Sequence, residues 1–139
     1  MVHALKEAYR ILVPRGMMID VRPLSVDVPL EIIYKRGSES AGIIDMSPGI
    51  DLDIAADRAI VSVVKDRIFV ESKVEIFDFA FYWKTLNDMQ DDIEEFWKDD
   101  VIVSDEVVQQ ARILLDKPRP QTQIRVGLQL KLGKYEKQN

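Results

Sequence analysis

The stretch 122–135 constrains the fold most. Ile124, Val126, Leu128, Leu130 and Leu132 alternate with Gln123, Arg125, Gln129 and Lys131. A side-chain period of two belongs to a β-strand, and strict apolar/polar alternation belongs to a strand with one wet face. Residues 17–22 repeat the pattern, with Met17, Ile19 and Val21 set against Met18, Asp20 and Arg22. Strands covered on both faces read instead as nearly continuous apolar runs. The pattern therefore predicts an α+β fold: a small mixed or antiparallel sheet with helices mainly on one face.

The remaining elements fit that frame. Ala4, Leu5, Ala8, Ile11 and Leu12 make an apolar helical stripe, and Leu52, Ala55, Ala56, Ala59, Ile60, Val63 and Val64 make a second behind an N-cap at Asp51. A third helix starts at Thr85, with Asp88 completing a capping-box-like pair, and buries Leu86, Met89, Ile93, Phe96 and Trp97. A fourth is capped by Ser104, carries Val107, Val108, Ala111, Leu114 and Leu115, and is stopped by Pro118 and Pro120. The segment LEIIYKRGSESAGIIDM predicts a hairpin turning around Gly37 to Gly42. In RIFVESKVEIFDFAFYW the apolar parity switches from Val70, Val74 and Ile76 to Phe77, Phe79, Phe81 and Trp83. A one-residue slip turns every side chain over, so a bulge near Ile76–Phe77, or burial on both faces, is expected there.

A length of 139 residues suits a single domain, 1–139. Cysteine is absent, which removes disulfides, thiol nucleophiles and thiolate metal sites and fits a cytoplasmic location. No apolar run approaches the roughly 20 residues that cross a bilayer, and no signal peptide is recognised, so no membrane partner is expected. The net charge of −5 works against nucleic acid, despite short basic groups such as Lys35-Arg36, Lys131, Lys134 and Lys137.

The opening ALKEAYRILVPRGMMIDVRP, residues 4–23, resembles the late helix–turn–strand motif of class I S-adenosylmethionine-dependent methyltransferases, L-x-E-A-x-R-x-L-x-P-G-G followed by an apolar strand. Leu5, Glu7, Ala8, Arg10, Leu12, Pro14 and Gly16 hold the motif positions, and Arg15 stands where the family has its first glycine. The resemblance implies the last part of that family's sheet: a fifth strand, a helix, a sixth strand, and a seventh strand returning antiparallel between the other two. On this reading the hairpin 29–46 and the helices within 85–116 are insertions, the latter where the family often builds a substrate lid. The family's glycine-rich cofactor loop lies in its first half, and no G-x-G-x-G occurs here. A cofactor of this kind needs close backbone approach at such a loop. The resemblance therefore implies a C-terminal half with no S-adenosylmethionine bound by this chain alone, and with cofactor only if a complementary half supplies the loop.

No catalytic, cofactor-binding or metal-binding residue is assigned. His3, the single histidine, reads as a solvated terminal residue. Asp45, Asp51, Asp53 and Asp57 lack the dense D-x-D-x-D-G spacing of a calcium loop, and Asp51 and Asp53 suit a helix N-terminus. The run NDMQDDIEEFWKDD reads as a wet helix face. Phe77, Phe79, Phe81, Tyr82 and Trp83 read as core beneath the inserted helices before they read as a ligand pocket, and Asp78 among them is given no catalytic role. LVPRG, at 12–16, coincides with a thrombin recognition sequence and reads as turn chemistry.

Cutting the family's sheet would turn the strand at 17–22 into an edge, with unpaired backbone groups that recruit a partner. Either the 29–46 hairpin folds over that edge or a second copy covers it. The expectation is a methyltransferase-related domain, non-catalytic alone, that acts through self-association or a partner, as a homodimer through the 17–22 edge or the bare sheet face. Alternatives are half of a split methyltransferase acting on a small molecule, and a small-ligand-binding module using the aromatic cluster.

Overall fold

Residues 1–138 are described by a computed structural model. In chain order the elements are α1 (Val2–Ile11), β1 (Met17–Pro23), β2 (Asp27–Tyr34), β3 (Gly37–Asp45), α2 (Ile50–Lys65), β4 (Phe69–Trp83), α3 (Leu86–Asp92), α4 (Asp105–Leu115) and β5 (Gln123–Lys137). A 3₁₀ turn, Ser47–Gly49, precedes α2, and a π-helical turn, Ile93–Trp97, extends α3. The strands form an open antiparallel five-stranded sheet ordered β1-β5-β2-β3, with β4 also paired to β5. The chain makes two compact units: residues 1–24, 50–77 and 130–138 in unit 1, and residues 25–49 and 78–129 in unit 2. β4 and β5 contribute one end to each.

Unit 1 holds α1, β1, α2 and the adjoining ends of β4 and β5. β1 runs antiparallel to β5 from Met17↔Glu136 to Pro23↔Leu130. The core joins Ile60 and Val63 of α2, Phe69 of β4 and Tyr135 of β5, with Val2, Leu5, Tyr9, Leu12 and Met18 packed against it. Tyr9 meets Phe69 edge-on, with ring centroids 5.8 Å apart. The Lys137 ammonium caps the end of α1 by donating to the carbonyls of Tyr9 (2.8 Å) and Leu12 (2.7 Å). The expected α1 stripe is thus rotated toward Tyr9, leaving Ile11 exposed. A bulky ring reaching Phe69 buries more surface than Ala4 or Ala8 can.

The turn after α1 closes with the Gly16 N–H donating to the Val13 carbonyl, 2.8 Å away. Arg15 takes φ 61°, the left-handed conformation that suits glycine. A Cβ on Gly16 would lie 2.7 Å from the Val13 oxygen, so glycine is required at that position.

Unit 2 gathers the β2–β3 hairpin, α3 and α4. β2 pairs with β3 and, from Leu30↔Val126 to Ile33↔Gln123, with the start of β5. Val28, Leu30 and Ile32 of β2, Ile44 of β3, Val107, Ala111 and Leu114 of α4, and Ile124, Val126 and Leu128 of β5 are buried. The Thr85 side chain accepts from the Asp88 N–H, and the Ser104 side chain from the Val107 N–H, so both N-caps form where the sequence places them. α4 packs on β2 and β3 closely enough that a Cβ on Gly42 would fall 2.7 Å from Val107 Cγ2. Gly42 has φ 134°, and the β2–β3 register slips at Leu30/Glu31, leaving Ala41 as a bulge residue.

Four expectations are corrected. The hairpin turns at Lys35-Arg36 rather than within Gly37 to Gly42, because Tyr34 already pairs with Gly37. The hairpin does not fold over the 17–22 strand, because the ladder of β2 is taken by β5. β4 is not buried on both faces: residues 70–79 are all exposed, odd- and even-numbered alike, and of its unit 1 residues only Phe69 enters the core under α1 and α2. The apolar sides of β1 and β4 in unit 1 were expected to close over a core, yet they face outward.

Candidate interaction surface

The direction of each strand in unit 1 follows from its core residue. Met18, Phe69 and Tyr135 point toward α1 and α2, and Met18 lies directly opposite Tyr135. Side chains of opposite parity therefore project from the other side of this three-stranded layer. They are Met17, Ile19 and Val21 on β1, Leu130, Leu132, Lys134 and Glu136 on β5, and Val70, Val74 and Ile76 on β4. The six large apolar residues on β1 and β4 are 38% to 60% exposed, and Leu130 and Leu132 between them are half-buried. Val21 stands across from Leu132 and Ile19 from Lys134. Lys134 and Glu136 pair with each other at 3.5 Å, so the charges on this face cancel. These six side chains belong to the large hydrophobics that the structure leaves exposed.

The inward face carries the charge network. Arg22, with 13% of its side chain exposed, donates to Asp20 Oδ2 (2.8 Å), Asp57 Oδ1 (2.6 Å) and the Asp53 carbonyl (2.7 Å). Lys131 adds a longer contact to Asp57, at 3.5 Å. Burial works to raise the Asp57 carboxyl, but the hydrogen bond and charge of Arg22, aided by Lys131, outweigh it and hold the group below the ordinary range. Burial likewise opposes the charge on Arg22, while Asp20 and Asp57 overcome it and push its pKa up. Desolvation, with Glu71 and Asp20 nearby, raises the Tyr135 hydroxyl. The network ties β1 to α2.

The other sequence candidates are placed as follows. His3 is exposed on α1. Hydrogen bonds from the Ser47 hydroxyl and then from its N–H, 2.8 Å away, lower the Asp45 carboxyl and shape the turn into α2. No group of three or more potential metal ligands forms among the described residues. The run 87–100 is largely exposed, with Glu94 and Lys98 3.7 Å apart. Phe81 is the hub of the aromatic cluster: it stacks on Trp83 and meets Phe79 and Trp97 edge-on. Trp83 is buried and donates to Asp92 Oδ2 (2.6 Å), whereas Phe77 and Phe79 are more than one-third exposed. Asp78 is exposed and accepts from Gln129 at 3.2 Å. The apolar parity of β1 and β4 was visible in the sequence; which side the helices cover was not.

Comparisons with known protein families, with curated proteins and with solved structures find no match to this chain.

Proposed function

We propose that this chain is a methyltransferase-related domain that does no chemistry alone and works by self-association, pairing two copies through the outward face of unit 1. The observation that carries the reading is the bare apolar side of β1-β5-β4, opposite a layer already covered by α1 and α2. The element order supports the family resemblance: the last strand lies against both the strand that follows the motif helix and the strand that follows α2. A second copy fits the face because its charged members, Lys134 and Glu136, are internally neutralised. Two such faces can therefore stack without opposing like charges.

Sedimentation equilibrium tests the reading. The chain is expected to dimerise at micromolar concentrations, and Ile19→Asp with Ile76→Asp to return it to a monomer with unchanged circular dichroism. A wild-type chain that stays monomeric at high concentration overturns the proposal.

A second reading, half of a split S-adenosylmethionine-dependent methyltransferase acting on a small molecule, draws on the outer edge of β1, which has no partner strand among the described residues. The family's sheet continues at that edge. Calorimetric titration of S-adenosylmethionine separates the two only with a complementary polypeptide carrying the glycine-rich loop present: saturable binding by the mixed halves favours the split enzyme, and no heat from the mixture favours the first reading.

A further inference from the structure

Unit 2 holds an open cleft of about 590 Å³, walled by Ile33 and Tyr34 and rimmed by Lys35, Lys84, Gln121 and Gln123. Its chemistry opposes that of the whole chain. There are 24 Asp and Glu against 19 Lys and Arg, yet no acidic residue lines it. Among the described residues neither Lys35 nor Lys84 takes part in an ion pair. Nearby, Lys117 and Arg119 are both spent on Glu39.

The walls are fixed by local contacts. The Lys35 N–H donates to the Pro120 carbonyl at 3.4 Å, tying the hairpin turn to the segment before β5. The Thr122 hydroxyl donates to the Arg119 carbonyl at 3.0 Å, and Arg119 stacks over the Tyr34 ring at 4.0 Å. Gln121 holds φ 57°, a conformation that non-glycine residues keep only where the surroundings enforce it, often beside ligand sites.

We infer that this cleft binds a small organic phosphate monoester, with Lys35 and Lys84 neutralising the phosphate, the Gln121 and Gln123 carboxamides donating to its oxygens, and Ile33 and Tyr34 packing on the organic part. Two ammonium groups match a dianion, and the volume lies in the range of small-molecule sites, roughly 300–1,000 Å³. The cleft is independent of the outward face of unit 1, so it neither supports nor requires self-association.

The test is an amide NMR titration of the full chain with phenyl phosphate, inorganic phosphate and benzoate. Saturable shifts are expected at Lys35, Lys84, Gln121 and Gln123, with phenyl phosphate binding several-fold tighter than either of the others. Lys35→Gln with Lys84→Gln should weaken binding about tenfold or more, and the remote Lys98→Gln should leave it unchanged. If the double variant misfolds, each single substitution carries the comparison. Equal affinity for phenyl phosphate and inorganic phosphate would reduce the cleft to an adventitious anion site and overturn the inference, as would shifts that ignore both lysines.

Discussion

Arg15 is an arginine held in a backbone conformation that suits glycine. Its φ of 61° costs a side chain about 1–2 kcal/mol that glycine does not incur, while glycine gives back about 0.4–1 kcal/mol through a freer unfolded chain. Arg15→Gly is therefore expected to stabilise the fold by about 0.5 kcal/mol, read as a rise of roughly 1–2 °C in Tm. Gly16→Ala should destabilise, because its Cβ meets the Val13 carbonyl. Arg22 is the other sensitive residue. Arg22→Met removes three hydrogen bonds and leaves Asp20 and Asp57 facing each other's charge, a loss of about 1–3 kcal/mol by chemical denaturation. Glu39 sets a pH response. Hydrogen bonds from Lys117 and Arg119 hold its carboxyl below the ordinary glutamate range. A carboxyl depressed in the folded state binds fewer protons there than when unfolded, so its contribution is complete above the unfolded pKa. That contribution fades as pH falls below about 4.3. Glu39→Gln should flatten the acid limb of a Tm-against-pH curve and leave its shape above pH 6 unchanged.

At the scale of elements, legibility divides along a physical line. The helix starts at Thr85 and Ser104 were readable because a cap is a local event, one side chain accepting from an N–H three residues on. Thr85→Ala and Ser104→Ala should each cost about 1 kcal/mol, measured as a shift in denaturation midpoint at constant slope. The strands at 17–22 and 122–135 were readable because alternation survives any tertiary context. Which side of a strand becomes the core is a long-range matter. Met18 alone on the polar side of β1 reaches the core, while Met17, Ile19 and Val21 stay outside. A period-two pattern states that the two faces differ but carries no information on where α1 and α2 will lie. The parity switch at Ile76–Phe77 had a similar fate. It coincides with the place where β4 passes from unit 1 to unit 2, a boundary that only the folded chain defines. The candidate face was thus visible as a set of residues and misassigned as to side. The cleft of unit 2 was not visible at all, because Lys35, Lys84 and Gln121 are far apart in sequence and line one cleft only in the folded chain.

At the scale of the whole molecule, charge and apolar surface pull in opposite directions. Each copy carries a net −5 at neutral pH, so a pair brings −5 and −5 to a total of −10. Long-range repulsion must be overcome by a face that holds one self-neutralised ion pair and six exposed aliphatic or methionine side chains. Repulsion of this kind is screened by salt, the Debye length shrinking from about 30 Å at 0.01 M to about 8 Å at 0.15 M, whereas burial of apolar area is not weakened. Self-association should therefore tighten several-fold as NaCl is raised across that range. It should tighten again as pH falls from 7 toward the isoelectric region near 4.9, where the net charge vanishes while the apolar contacts persist. Sedimentation velocity at fixed protein concentration reads both trends. An interface held by ion pairs between copies, for instance through Lys73 and Glu75 on the exposed length of β4, responds the other way and loosens with added salt. A dimer that dissociates as salt rises would remove the apolar face from its central role and place the contact on charged strand surface instead.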